Sequence, residues 1–196
     1  MNQNLLDHRR LAEAFAFAAS VHREQLRKST AIPYVSHLMA VTALVLEHGG
    51  DEDQALAALL HDAIEDGGAE YEPVIRNLFG DRVARIVRAC TDADVTPKPP
   101  WRERKEAYLQ HLREEGPDAL LVSACDKLHN ARAIVADLRN LGNKVFERFN
   151  AGRDGTLWYY GALAEVFRER LPGPLAAELD RTVAGIHELA STASHT

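Results

Sequence analysis

Apolar residues recur at three- and four-residue steps along almost the whole chain, the spacing that lines one face of an α-helix. Leu11, Phe15, Ala18 and Ala19 form such a stripe and predict a first helix over about 5–26. A second is expected from near Tyr34, just after Pro33, to Gly49-Gly50, because glycine takes the left-handed backbone that closes a helix. Asp51 is placed to cap a third, whose apolar positions Leu56, Leu59, Leu60 and Ile64 run on to a stop at Gly67-Gly68. Shorter helices are predicted over 71–79 and 81–91, divided by Gly80. Thr96-Pro97-Lys98-Pro99-Pro100 reads as a loop, since proline lacks an N–H donor and restricts its predecessor. A charged helix over 101–115, a long one from Pro117 to Leu141, one over 156–171 and a last over 174–190 complete the pattern. No run alternates with strand period and nothing repeats, so the expected fold class is all-α, an array of about eight to ten helices.

Composition narrows this picture. A chain of 196 residues, 46% hydrophobic and 27% charged, has room for one sizeable core, so a single domain over 1–196 is expected, its last helix packed on the rest. No apolar run approaches the roughly 20 residues of a bilayer span, and the N-terminus lacks the layout of a secretory signal. The expected location is the cytoplasm, with no membrane partner. Cys90 and Cys125, both among apolar neighbours and far from any CxxC spacing, read as reduced buried thiols. The net charge of -6 argues against a nucleic acid polymer as partner, yet local basic groups can still hold a small anion.

The segment Leu59-Leu60-His61-Asp62-Ala63-Ile64-Glu65-Asp66 carries the densest chemistry. On one continuous helix, His61, Asp62, Glu65 and Asp66 project from one side while Leu59, Leu60, Ala63 and Ile64 turn inward. An imidazole and three carboxylates then crowd together, which like-charge repulsion penalises unless a cation, a proton or an arginine compensates. Acids also sit poorly at a helix C-terminus because of the dipole. A solvated acidic helix end is the plain alternative; a bound divalent ion explains the broken rule. His37 alone is an ordinary histidine, whereas Asp126, inside the apolar run Leu120 to Leu128, needs a partner if ionised. His37, His61, Asp62 and Asp126 together make a nitrogen and oxygen set suited to one Mn²⁺ or a similar ion, and no cysteine joins them as in structural zinc sites. Trp158, Tyr159 and Tyr160 read as core before purine-stacking surface, and Trp101-Arg102-Glu103-Arg104-Lys105 as a solvated charged helix before a lid.

The order His37, then His61-Asp62, then Asp126 resembles the HD phosphohydrolase superfamily. The finer pattern is similar to the hydrolase domain of RelA/SpoT proteins and the small alarmone hydrolases. The stretches that carry it are His22 to Ser29, Pro33 to His37, Ala57 to Asp66, Phe79-Gly80 and Asp126 to Arg132, with a fainter echo over Thr156 to Ala164. The resemblance implies Mn²⁺-dependent removal of the 3′-pyrophosphate from guanosine tetra- and pentaphosphate, with a small nucleotide as partner. It implies His37, His61, Asp62 and Asp126 as metal ligands and Glu65 with Asp66 as the acidic pair beside the attacking water. Arg27, Lys28 and Ser29 would lie at the nucleotide side, completed by Asn130, Arg132, Thr156 and Tyr160. Hydrolysis of adenosine alarmones (the pApp or ppApp type), an HD nucleotidase or phosphodiesterase, and a silent nucleotide-binding module stay open as alternatives, as does the oligomeric state. The long enzymes' synthetase and regulatory regions have no counterpart after Ala190, so degradation alone is expected. Cys90-Thr91-Asp92-Ala93-Asp94 and the proline-rich loop depart from the long enzymes, which leaves base selectivity open.

Overall fold

Side-chain caps or prolines open several of the helices. In the computed structural model, which describes residues 6–92, 97 and 99–192, the Asp51 carboxylate accepts from the Gln54 N–H while the Gln54 side chain accepts from the Asp51 N–H. This reciprocal box opens a helix that the sequence predicts there. The described helices, in order, are α1 (His8–Val21), α2 (Val35–Glu47), α3 (Glu52–Leu60), α4 (Ala63–Gly67), α5 (Tyr71–Phe79), α6 (Asp81–Cys90), α7 (Trp101–Glu114), α8 (Pro117–Leu141), α9 (Gly152–Arg170) and α10 (Pro174–Thr192). A 3₁₀ helix, Gly142–Arg148, joins α8 to α9. Among the described residues the only extended pairing is an isolated bridge between Leu26 and Pro33. Among the described residues no helix is long and apolar enough to cross a membrane.

The long α8, started by Pro117 at its first turn, is the axis on which α2, α3, α6, α9 and α10 pack. Leu38, Leu56, Leu60, Ile64, Leu120, Leu128, Leu163 and Phe167 are buried in the common core. Each such side chain stabilises the fold by roughly 1.5–3 kcal/mol relative to exposure. Both cysteines are free and buried, as expected, and burial pushes their thiols up to about 11 at Cys90 and about 12 at Cys125.

Four expectations change. The first helix stops at Val21, not near Leu26, because the chain from His22 onward bends back to form the Leu26–Pro33 bridge. Its buried face is Ala14 and Ala18, small residues lying against α3, while Phe15 is 39% exposed. The third helix breaks after Leu60: His61 and Asp62 form a turn, with Asp62 at φ -97° and ψ -1°, at the edge of the α region, and α4 starts at Ala63. The ninth helix begins at Gly152, earlier than Thr156, since the glycine-containing stretch before it winds as 3₁₀. Expectations for Ala93, Asp94, Thr96 and Lys98 fall outside the described residues.

Arg82 ties the start of α3 to the start of α8, donating to Asp51 at 2.7 Å and to Asp118 at 2.8 Å. These partly exposed pairs are screened by water, so Arg82→Ala is expected to lower the free energy of chemical denaturation by only about 1 kcal/mol.

Candidate metal centre and active site

Three elements bring four ligand-type side chains to one point. The first turn of α2 carries His37, the α3–α4 junction carries His61 and Asp62, and the middle of α8 carries Asp126. His37 Nε2 lies 3.2 Å from Asp126 Oδ1 and 3.7 Å from Asp62 Oδ2. His61 Nε2 lies 3.0 Å from Asp62 Oδ2 and 3.7 Å from Asp126 Oδ1. Ligand atoms of His37, His61 and Asp126 all fall within 4.8 Å of one another. At the turn between α3 and α4, consecutive residues present both an imidazole and a carboxylate to the same centre.

Both imidazoles are buried, and the two Nε2 atoms make no hydrogen bond. Their other nitrogens are engaged: His61 Nδ1 donates to the Ala58 carbonyl at 2.8 Å, and His37 Nδ1 lies 2.8 Å from His129 Nδ1. An Nδ1–H donor leaves the Nε2 lone pair facing the centre, the tautomer that ligates metals. The carboxylates are held as well. Asp62 Oδ2 accepts from Tyr34 Oη at 2.5 Å; Asp126 accepts from Asn130 Nδ2 and from Lys127 Nζ, each at 2.6 Å.

The electrostatics ask for positive charge. Burial disfavours ionisation throughout, yet His61 pulls Asp62 well below the ordinary carboxylate range, and Lys127 with the two imidazoles does the same for Asp126. Burial also opposes a charged His61, but the two carboxylates overcome it and raise that imidazole well above its usual value. At His37 burial wins and the shift is downward. Without a cation, then, the two carboxylates favour a proton on His61. Two unpartnered buried nitrogens facing two ionised carboxylates fit a divalent ion in its place.

Glu65 and Asp66 sit on α4, the first half-buried and the second exposed. Asp66 accepts from Gln25 Nε2 at 2.8 Å. Beside the centre, a cavity of about 500 Å³ is lined by Arg27, Lys28, Tyr34, Asn130 and Tyr160, among others. A second, of about 270 Å³, shares Lys28, Phe149 and Tyr160 with it and adds Arg104, Lys105 and Thr156. Arg27 donates to Asn130 Oδ1 at 3.1 Å, and the Thr156 hydroxyl donates to the Gly152 carbonyl at 2.6 Å. Ser29 is exposed with φ 58°, the one non-glycine residue in the left-handed region among those described. Arg132 forms an ion pair with Glu178 of α10 and lines neither cavity. Position in sequence places it near Asn130; two residues along a helix point in different directions.

Tyr159 and Tyr160 are buried in the core, as their helical spacing suggests. Trp101 is not solvated: it packs edge-on against Trp158 and Tyr159, so the start of α7 is fastened to α9. Arg104 and Lys105 both grip Asp92, Arg104 at 2.5 Å. Sequence reasoning assigns no role to Tyr34, His129, Lys127, Arg104 or Lys105. Tyr34 and His129 do stand within the stretches that resemble the family, and Lys127 adjoins a ligand; Arg104 and Lys105 are hidden by a charge run that looks like any solvated helix.

This arrangement defines the class. The HD domain family matches residues 14–157, and the chain belongs to it. Among its relatives, the guanosine-3′,5′-bis(diphosphate) 3′-pyrophosphohydrolase MESH1 of Xenopus tropicalis is 38% identical over 62% of this chain and 68% of its own. The bifunctional (p)ppGpp synthase/hydrolase SpoT of Escherichia coli (strain K12) is 33% identical over 64% of this chain, which spans only 18% of that protein. The solved structure of a metazoan ortholog of SpoT that hydrolyzes ppGpp aligns with a TM-score of 0.74 and 26% identity, covering 92% of this chain and 97% of that one.

Proposed function

We propose that the protein is a metal-dependent (p)ppGpp 3′-pyrophosphohydrolase, acting in the cytoplasm with Mn²⁺. The observation that carries this reading is the pair of buried, unpartnered Nε2 atoms facing two carboxylates beside a cation-lined cavity. The relatives' activities point to the substrate class. His37, His61, Asp62 and Asp126 would hold the ion. When bound, it supplies Lewis acidity, lowering the pKa of water and drawing charge from a phosphate oxygen.

The remaining work falls to the chain. In the reaction the oxygen of water forms a bond to the phosphorus next to the ribose, the bond from that phosphorus to O3′ breaks, and O3′ leaves with a proton. GDP or GTP and pyrophosphate result. Arg27 and Lys28 counter the phosphate charge, and arginine does so by bidentate contact. Glu65 and Asp66 take the proton from water and return it to O3′, the general acid–base task of paired carboxylates. Asn130, Thr156 and Tyr160 shape the nucleotide side, and Lys105, whose ammonium lies 5.0 Å from the Tyr159 ring, adds a further cation there.

Incubation of the purified protein with Mn²⁺ and a panel of guanosine and adenosine nucleotides tests the reading. Pyrophosphate released from a 3′-diphosphate is expected. Orthophosphate from ordinary monophosphates, or no turnover with bound metal, would refute it.

Tyr34→Phe removes the hydroxyl that donates to Asp62 and leaves the fold's apolar contacts in place. Outer partners of metal ligands typically contribute 10–100-fold in affinity, so calorimetric titration of Mn²⁺ is expected to show roughly that loss.

A further inference from the structure

The loop between α1 and α2 sends two side chains across to the acidic residues of the α3–α4 junction. Tyr34 reaches Asp62, and Gln25 reaches Asp66, 41 residues further along the chain. A carboxamide is nearly symmetric in outline, so its two ends must be told apart by their partners. The Asp66 carboxylate only accepts, so Gln25 presents its NH₂ group there and turns Oε1 toward His22, whose Nδ1 lies 2.6 Å away. An amide oxygen only accepts, so that ring nitrogen donates. His22 in turn has little freedom, being 3% exposed with its ring against that of Tyr34 at a centroid spacing of 5.1 Å. The backbone of Gln25 is tied at both ends, its N–H donating to the His22 carbonyl at 3.0 Å and its carbonyl accepting from the Tyr34 N–H at 2.9 Å.

We infer that Gln25 is a positioning residue: the relay from His22 through Gln25 fixes the Asp66 carboxylate in the orientation its proton-transfer task requires. Its catalytic meaning rests on the function proposed above. Asp66 is exposed, and the hydrogen bond from Gln25 narrows the rotamers open to its carboxylate. Misplacement of a reacting group by about 1 Å can lower a rate about 100-fold. One loop thereby sets both the metal-facing carboxylate, through Tyr34, and the proton-transferring one, through Gln25.

The test compares wild type, Gln25→Ala and Gln25→Glu for ppGpp hydrolysis with Mn²⁺ across pH. Gln25→Ala is expected to lower kcat about 10–100-fold, the usual loss for an outer-shell partner, with KM within about twofold. Gln25→Glu is expected to be as poor at alkaline pH, where two ionised acids repel, and to regain activity relative to wild type as the pH falls, because a protonated Glu can again donate to Asp66. A wild-type kcat in Gln25→Ala, or a Gln25→Glu deficit that does not change with pH, overturns the inference. A second readout needs no substrate: Asp66→Ala should shift the Gln25 side-chain amide resonances in solution NMR, and unshifted resonances remove the tether. If those resonances shift but wild type cleaves no 3′-diphosphate nucleotide, the tether stands and the functional reading alone is lost.

Discussion

Dialysis against a chelator is expected to abolish turnover, by about 10³-fold or more, with full recovery on adding Mn²⁺. Each of the two imidazoles lies within 3.7 Å of both carboxylates, and the carboxylates raise His61 well above its usual value, which favours a proton there when no cation is present. A metal must displace it, so binding releases a proton and weakens as pH falls. The sign follows from the shift. Because the cation-free imidazole is raised above its usual value, competition begins above the ordinary histidine range, and the apparent Kd should rise about tenfold per pH unit below that point, one proton being displaced. Calorimetric titrations at several pH values in buffers of different ionisation enthalpy check both the slope and the proton count. Thermal denaturation should agree: metal at about 1,000 times its Kd stabilises by roughly 4 kcal/mol. Asp126→Asn should also lose turnover and, by leaving the partly buried Lys127 ammonium without its counter-ion, destabilise the protein by about 1–3 kcal/mol.

Glu65→Gln and Asp66→Asn are expected to lower kcat by about 10²–10⁴-fold, the usual contribution of general acid–base groups. Metal content should not change in either. Both residues lie on α4 one turn beyond Asp62, neither is fully buried, and isosteric amides keep the local packing. This separates them from the ligand substitutions, in which loss of metal and loss of rate coincide. Steady-state kinetics with metal analysis of the same preparations distinguishes the two classes; a variant of either residue that keeps wild-type kcat removes that residue from the proton-transfer role.

Much of this was legible in one dimension because the relevant physics is local. Apolar spacing, the Asp51 box, Pro117 and the paired glycines each act within a turn or two, and they place most helices within a few residues of where they lie. The liability of an acid inside Leu120 to Leu128 is equally local, which is why Asp126 stood out among many carboxylates. Where local signals mislead, a distant contact has overridden them. Ala18 of the expected stripe is buried, but Phe15 turns outward and Ala14 is buried instead, because small side chains admit α3 at close range. The helix expected to run unbroken through His61 bends at Asp62, where the partners are Tyr34 from one loop and two imidazoles from separate helices.

The chain's own order of residues thus settles which elements form and which side chains are costly enough to need a partner, since propensity, caps and desolvation depend on near neighbours. It does not settle which partners meet. That His37 sets its Nδ1 against His129, that Gln25 finds Asp66, and that Arg132 turns away to Glu178 are outcomes of packing α2, α4, α8 and α10 together. Contacts between residues 41, 46 and 92 positions apart arise only when the helices are brought into register.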